Sequence, residues 1–119
     1  MTISSSFRGR IAEAGVSAYL IVKPGAADMS CLVAAGPAEK LLGTSDELDH
    51  VAGEVVDVSV SPIAKVRLGG NVAAGDALTS DANGKAVVTT TIGHRIIGFA
   101  EVPGVLNDVI TYIRAPGVL

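Results

Sequence analysis

Short apolar runs separated by turn residues dominate the pattern of this chain. Residues 54–60 alternate most clearly, because valines at every second position share one face while Asp57 and Ser59 lie on the other. Residues 16–23 are predicted to form a strand, because they contain the apolar stretch 16–22 and are followed by Pro24-Gly25. The other predicted strands are residues 30–34, 40–44, 64–68, 77–79, 86–90, 95–99 and 108–114.

Helical signals are few and short. Residues 45–51 could form one or two turns, because Ser45 suits an N-cap and acidic residues follow it. Residues 10–14 are a second candidate, and neither segment reaches the length of a free-standing helix. We therefore predict one mainly β domain over residues 1–119, a small barrel or sandwich of short strands with at most one or two short helices.

One hairpin is predicted by its turn residues. Asn83-Gly84 lies between two short predicted strands, and both residue types accept the positive φ angles of a tight hairpin turn. The same segment, taken as residues 79–90, has the Asp, Asn and Gly spacing of a calcium loop. Thr79 and Thr90, however, occupy the positions where such a loop needs acids, so the hairpin interpretation is favoured.

A weak internal repeat links the two halves of the chain. Lys40-Leu41-Leu42-Gly43 aligns with Arg95-Ile96-Ile97-Gly98, and Glu54-Val55-Val56 aligns with Asp108-Val109-Ile110. The alignment needs a gap of one residue, so chance similarity and a true duplication of hairpin units both stay open. A duplication would favour a pseudo-symmetric barrel over a catalytic cleft.

Composition excludes several classes of protein. With 49% hydrophobic and 18% charged residues, the 119-residue chain is not of the disordered class. A net charge of −3 argues against general binding to nucleic acid or to an anionic membrane. The longest stretches of the chain without a charged residue are about ten residues, whereas a transmembrane helix needs about twenty. Two Phe, two Tyr and no Trp provide no base-stacking surface.

The N-terminus is predicted to be an extended arm. Residues 1–9 contain three consecutive serines and a glycine, without periodicity, and precede the β-rich body of residues 10–119. Phe7 is an unusual residue for a free arm, which suggests that it docks on a neighbour. Arg8 and Arg10 could pair with carboxylates of that neighbour. The alternative is a disordered tail.

No pattern of catalytic or metal-binding residues is convincing. Residues 70–76 have the outer glycines of a phosphate loop, but an acid follows where lysine is required. Four possible metal ligands, Asp46, Glu47, Asp49 and His50, lie too close along the chain to converge, and an acidic turn is the simpler interpretation. Cys31 is the single cysteine, so no intrachain disulfide forms. We therefore predict no catalytic, cofactor or metal site.

Several motifs in order resemble one protein family. The segment from Val66 to Val87 contains a strand, a glycine-rich turn, Ala-Gly-Asp, a short strand and Ser-Asp-Ala-Asn-Gly-Lys. Ile96-Ile97-Gly98-Phe99-Ala100 and Asn107-Asp108-Val109-Ile110 complete the pattern. This order is similar to the capsid cement, or head decoration, proteins of tailed bacteriophages, and the resemblance covers residues 40–114.

The resemblance implies a structural virion protein rather than an enzyme. It implies a mainly β fold, synthesis in the host cytoplasm, and a homotrimer on the outer capsid surface that stabilises the expanded head through contacts with the major capsid protein. Candidate capsid contacts in this chain are Phe7, Arg8 and Arg10. A different class, a lipoyl-like hammerhead module that binds a ligand or a partner enzyme, would need Lys85 presented at its hairpin tip, and the flanking residues do not match that tip.

Overall fold

The computed structural model describes residues 6–119, which form ten β-strands and no helix. The mainly β prediction is therefore confirmed. The strands are β1 (Phe7–Ala12), β2 (Ile21–Pro24), β3 (Ser30–Val33), β4 (Gly43–Thr44), β5 (Val55–Ser59), β6 (Ile63–Arg67), β7 (Ala77–Ser80), β8 (Ala86–Val88), β9 (Arg95–Ala100) and β10 (Val109–Val118).

The first five strands close into a small barrel. Their order is β1-β3-β2-β4-β5, and the barrel closes where β1 pairs antiparallel with β5 and parallel with β3. Alternation along β5 sends Val56 and Val58 inward, as predicted from its valines. The interior of this first unit contains Ala12, Val16, Val22, Cys31, Val56 and Val58.

The second five strands form a similar but less completely closed unit. Their order is β6-β10-β9-β7-β8, and a single parallel bridge, Leu68 to Ala86, joins the two ends of this sheet. Tyr112 on β10 is fully buried in its interior. Burial raises the pKa of the Tyr112 hydroxyl to about 12, against smaller opposing effects of Thr44 and Arg114.

Strand for strand, the two units have one topology. If the five strands of each unit are numbered in chain order, neighbouring strands in both sheets follow the order third, second, fourth, fifth and first. Equivalent loops also share their backbone bonding. Val16 and His50 exchange two hydrogen bonds of 2.9 and 2.8 Å in the first unit. Val72 and Gly104 exchange two of 3.0 and 3.2 Å in the second. The chain is thus an internal duplication, as one interpretation of the sequence repeat proposed.

The aligned glycines of the repeat have the same physical role in both units. A Cβ on Gly43 would collide with the carbonyl oxygen of Ser59 on the next strand. A Cβ on Gly98 would collide with the carbonyl oxygen of Ile113, which is the equivalent position. Both sites therefore require a residue without a side chain, so glycine is kept where the neighbouring aliphatic residues change.

The two units pack together as one body, with the β7–β8 turn as a main contact. The carbonyl oxygen of Gly84 accepts a 2.8 Å hydrogen bond from the amide of Ile21. The predicted hairpin is confirmed, but its turn differs in detail, since Gly84 has a φ of +75° while Asn83 does not have positive φ. Five residues, 81–85, separate the paired strands, which relieves the need for two consecutive positive φ angles.

Several predicted boundaries and both helical turns are wrong. The predicted strands at 16–23 and 40–44 shrink to β2 and β4, whereas the last strand continues to Val118. Ser45 does not cap a helix, because its buried hydroxyl accepts a 2.9 Å bond from Leu20 N and donates a 2.7 Å bond to Ser17 O. Arg10 lies in β1, because this segment finds pairing partners on both sides in β3 and β5.

Candidate interaction surface

Strand β1 determines where the predicted capsid-contact residues lie. Phe7 pairs with Ser59 of β5 and is 54% exposed, with its side chain on the outer face of the barrel. Ile11, on the same face of β1, is also exposed and pairs with the exposed Val55. Phe7 is thus an apolar side chain held on a paired strand and facing solvent. The part of the predicted arm before residue 6 lies outside the described residues.

The two arginines differ in their contacts. Arg10 is half-buried, and its Nη1 donates a 3.0 Å hydrogen bond to the carbonyl oxygen of Ser30. Arg8 is exposed, and among residues 6–119 no carboxylate forms an ion pair with it. All the guanidinium donors of Arg8 therefore remain available to a partner, whereas one donor of Arg10 is already used in a hydrogen bond within the barrel.

A groove of about 450 Å³ begins beside Phe7 and runs between the two units. Its walls come from both, since Tyr19 and Leu48 belong to loops of the first unit while Ile63 and Lys65 belong to β6. Leu48 is exposed. The groove therefore combines apolar side chains with the carboxylates of Asp46, Glu47 and Asp57 and the cation of Lys65.

Acidic residues on one wall of the groove are organised by backbone amides. The carboxylate of Asp46 accepts hydrogen bonds of 3.0 Å from Leu48 N and 3.1 Å from Asp57 N. Burial raises the pKa of Asp46, but these amides and His50 together outweigh it and hold the pKa below its usual value. Asp46 is therefore an ionised structural group that shapes the loop.

His50 joins this cluster through its ring nitrogens. Nε2 lies 2.9 Å from Asp46 Oδ1, and Nδ1 lies 3.6 Å from Glu54 Oε1. The hydrogen bond with Asp46 raises the pKa of His50, desolvation of the imidazole opposes this, and Glu54 adds to the increase. Of the four residues considered as metal ligands, Asp46 and His50 are thus joined as an ion pair. Within residues 6–119, no group of three or more side chains could hold a metal ion.

The remaining chemical candidates are placed where they support packing. Cys31 is fully buried inside the first barrel. Burial raises the pKa of its thiol, Arg10 lowers it and Glu13 raises it slightly, so the thiol is held in its unreactive form. Lys85 is not presented at a free tip, because its Nζ donates a 2.8 Å bond to Asn107 and the adjacent Gly84 is packed on the first unit. The lysine at an exposed hairpin tip that a lipoyl-like hammerhead module requires is therefore not found at Lys85.

Sequence reasoning missed the groove and an apolar row on the second unit. Leu48 and Ile63 belong to different runs of the sequence, and only the packing of the two units brings them to one groove. Phe99 and Ile113 face solvent from adjacent strands. Their positions in alternating strands were a usable signal, since large apolar residues on the polar face of a strand are unusual.

Comparison with solved structures shows where this architecture recurs. The chain is similar to the head fiber gp8.5 N base in bacteriophage phi29, with a TM-score of 0.74 over 98% of each chain. The two chains share one fold from end to end. Their sequences are 21% identical, so the likeness concerns the fold. No protein-family model matches the chain, and no curated protein matches it significantly. Among residues 6–119, no helix is long and apolar enough to span a membrane.

Proposed function

We propose that this protein is a structural component of a bacteriophage head, which binds the outer surface of the capsid as a homotrimer and stabilises the expanded shell. The observation that carries the proposal is the end-to-end fold similarity to the phi29 head fiber base. The motif order of residues 40–114 supports it independently, because it resembles decoration proteins of tailed phages. The protein would be made in the host cytoplasm and reside on the virion.

Stabilisation of a shell needs no catalytic chemistry. A protein that binds the expanded capsid and not its precursor stabilises the expanded state by mass action. Three copies that bind together make each weak contact effectively stronger, because the second and third contacts become intramolecular. The buried thiol of Cys31 and the packed Lys85 fit this passive role. We assign no catalytic residue and no cofactor.

The capsid contact is proposed at the N-terminal edge of the first barrel. Phe7 supplies an exposed apolar anchor, and the next residue, Arg8, supplies an exposed guanidinium from the opposite face of β1. Arg10 would add its remaining donors from a half-buried position. Residues 1–9 as a whole are proposed to be the arm that reaches the major capsid protein, with Phe7–Gly9 held in place by pairing with β5.

The test is co-sedimentation with expanded empty capsids of the parent phage. A deletion of residues 1–9 is a poor variant, because it would remove three pairings that close the barrel. Phe7→Ser and Arg8→Ala instead leave the backbone pairing intact. Both should bind about 5- to 150-fold more weakly than wild type, since interface anchors of this kind are worth about 1–3 kcal/mol each. Ile92→Ser, at a residue 89% exposed elsewhere on the surface, is the matched control.

The outcomes separate the contact from the function. Loss of binding in Phe7→Ser and Arg8→Ala, with full binding in Ile92→Ser, supports both. Wild-type binding at full occupancy by all three variants contradicts the N-terminal contact while leaving a capsid protein. Failure of the wild-type protein to sediment with expanded capsids contradicts the proposed function itself.

A further inference from the structure

Four consecutive cross-strand partners make an apolar row on the outer face of the second unit. Ile63 pairs with Ile113, Ile113 pairs with Phe99, and Phe99 pairs with Ala77. Phe99 is 37% exposed and Ile113 is 46% exposed, whereas the other two are half-buried. We call these four residues the outer row. Partners in register lie on one face of a sheet, so the side chains form a continuous strip.

The first unit has an equivalent row, and there the second unit covers all of it except the Phe7 end. The equivalent partners are Phe7, Ser59, Thr44 and Ile21, paired in the same sequence. Thr44 and Ile21 are fully buried. The Oγ1 of Thr44 lies 3.4 Å from the hydroxyl of Tyr112, and the Ile21 amide bonds to Gly84 O. Within one chain, the row of the first unit is thus already in contact with the second unit.

The outer row is the more apolar of the two rows although it is the more exposed. Isoleucine and phenylalanine stand at Ile113 and Phe99, where the covered row has Ser59 and Thr44. Burial of large apolar side chains is the main favourable contribution in stable protein contacts. A surface row that exceeds its buried equivalent in apolar character is the pattern expected of an interface that forms on assembly.

We propose that the outer row binds the first unit of a second copy of this chain, so that copies join head to tail. The binding partner follows from the duplication. Within the chain, the second unit packs on the row of the first unit. Because the first unit has the same fold as the second, the first unit of another copy can pack on the outer row in the same way. The β2–β3 turn would make the contact that the β7–β8 turn makes within the chain. Met29 lies in that turn and is 53% exposed.

Head-to-tail contacts are heterologous, so they produce a closed ring or an open filament. A ring of three copies would contain six similar units in one repeated contact, three within chains and three between them. That the ring contains three copies rests on the proposed function, whereas the contact between the outer row and the first unit of the next copy does not. The proposal therefore predicts a specific surface on each side: Phe99 and Ile113 on one copy, and Met29 on the next.

The first experiment measures mass in solution by light scattering. Wild type should give near three times 12.0 kDa, and Phe99→Glu and Ile113→Glu should each give the single-chain mass. Ile92→Glu, which adds the same charge to an exposed residue outside the row, should keep the wild-type mass. Circular dichroism and urea midpoints verify that the variants are folded, and either glutamate variant can carry the test if the other fails to fold.

Mixing separates a head-to-tail contact from a face-to-face one. Phe99→Glu keeps the proposed Met29 surface, and Met29→Glu keeps the outer row. Each alone should be monomeric, and an equal mixture should form a dimer of near twice 12.0 kDa through the one intact contact. No dimer in the mixture, or a trimeric Phe99→Glu variant, would overturn the proposal.

Capsid binding is measured in parallel, so that the two proposals fail separately. Wild type that stays monomeric at every concentration but sediments with capsids overturns the contact and leaves the proposed function standing. An oligomer that Phe99→Glu disrupts, in a protein that does not bind capsids, supports the contact and removes the proposed function.

Discussion

The turn at Gly84 gives the sharpest test of how the two units hold together. Gly84 has a φ of +75°, and a Cβ built there would lie 2.5 Å from Cγ1 of Val33 and 3.0 Å from the carbonyl oxygen of Ile21. Gly84→Ala therefore adds two separate costs, a backbone cost and a packing cost. Because Val33 and Ile21 belong to the first barrel, the packing cost falls on the contact between the units.

Both costs can be sized from general behaviour. A side chain in the left-handed region costs about 1–2 kcal/mol. Overpacking by one carbon against a fixed backbone oxygen costs about 1–3 kcal/mol. Gly84→Ala should thus lower the free energy of unfolding by about 2–5 kcal/mol. A domain of this size is stable by only about 6–18 kcal/mol, so the loss is readily measured.

Two other glycines separate these costs. Gly53 has a φ of +91° with no atom within 4 Å of its would-be Cβ, so Gly53→Ala should cost only the backbone strain, about 1–2 kcal/mol. Gly36 has neither positive φ nor a close neighbour, so Gly36→Ala should be neutral or stabilising by up to about 1 kcal/mol. Urea denaturation followed by circular dichroism measures all three against wild type.

The order of the three variants decides the question. If Gly84→Ala loses no more stability than Gly53→Ala, then the β7–β8 turn is not packed on the first barrel as described. The contact between units, and the head-to-tail interpretation built on it, would then lose their structural basis.

Two further predictions concern titratable groups. The folded-state pKa of His50 is raised, so its contribution to stability is full below about pH 6.5 and is lost as pH rises through the folded value. The wild-type urea midpoint should therefore fall more steeply between pH 6 and 8 than that of His50→Gln, and parallel curves would contradict the Asp46 pairing. The Cys31 thiol should react with a disulfide reagent at pH 8 only as fast as the protein unfolds, whereas urea should make it react at once. Rapid reaction of the native protein would contradict the burial of Cys31.

Strand positions were predictable wherever alternation and turn residues agree. Strands β5, β7 and β8 lie close to their predicted bounds. One face of each strand is buried, and this produces the alternation of apolar and polar residues from which they were predicted. β1 was not predictable in the same way. Four of its six residues are exposed, and it is a strand because β5 and β3 supply its hydrogen bonds from distant parts of the chain.

The candidate surface was predictable only as individual residues. Phe7 stands out in the sequence because a large apolar residue lies in a polar segment. Its neighbours in the groove, such as Leu48 and Lys65, come from the β4–β5 loop and from β6 of the second unit. No local pattern encodes that meeting, since it depends on how one barrel packs on the other.

The duplication also explains why the repeat was so faint in the sequence. Equivalent turns keep positive φ while the residue changes: Tyr19 at 60° corresponds to Gly75 at 88°, and Gly53 at 91° corresponds to Asn107 at 69°. A tyrosine there bears a strain that its glycine equivalent does not, so the fold preserves backbone geometry more strictly than residue type. Side chains on the outer faces are then free to diverge, because the interiors and turns alone maintain each unit. The covered row could become polar at Thr44, and the exposed row could become apolar at Phe99, without any change of fold. Differences between the two copies, and not their shared architecture, are therefore where the assembly properties of this protein lie.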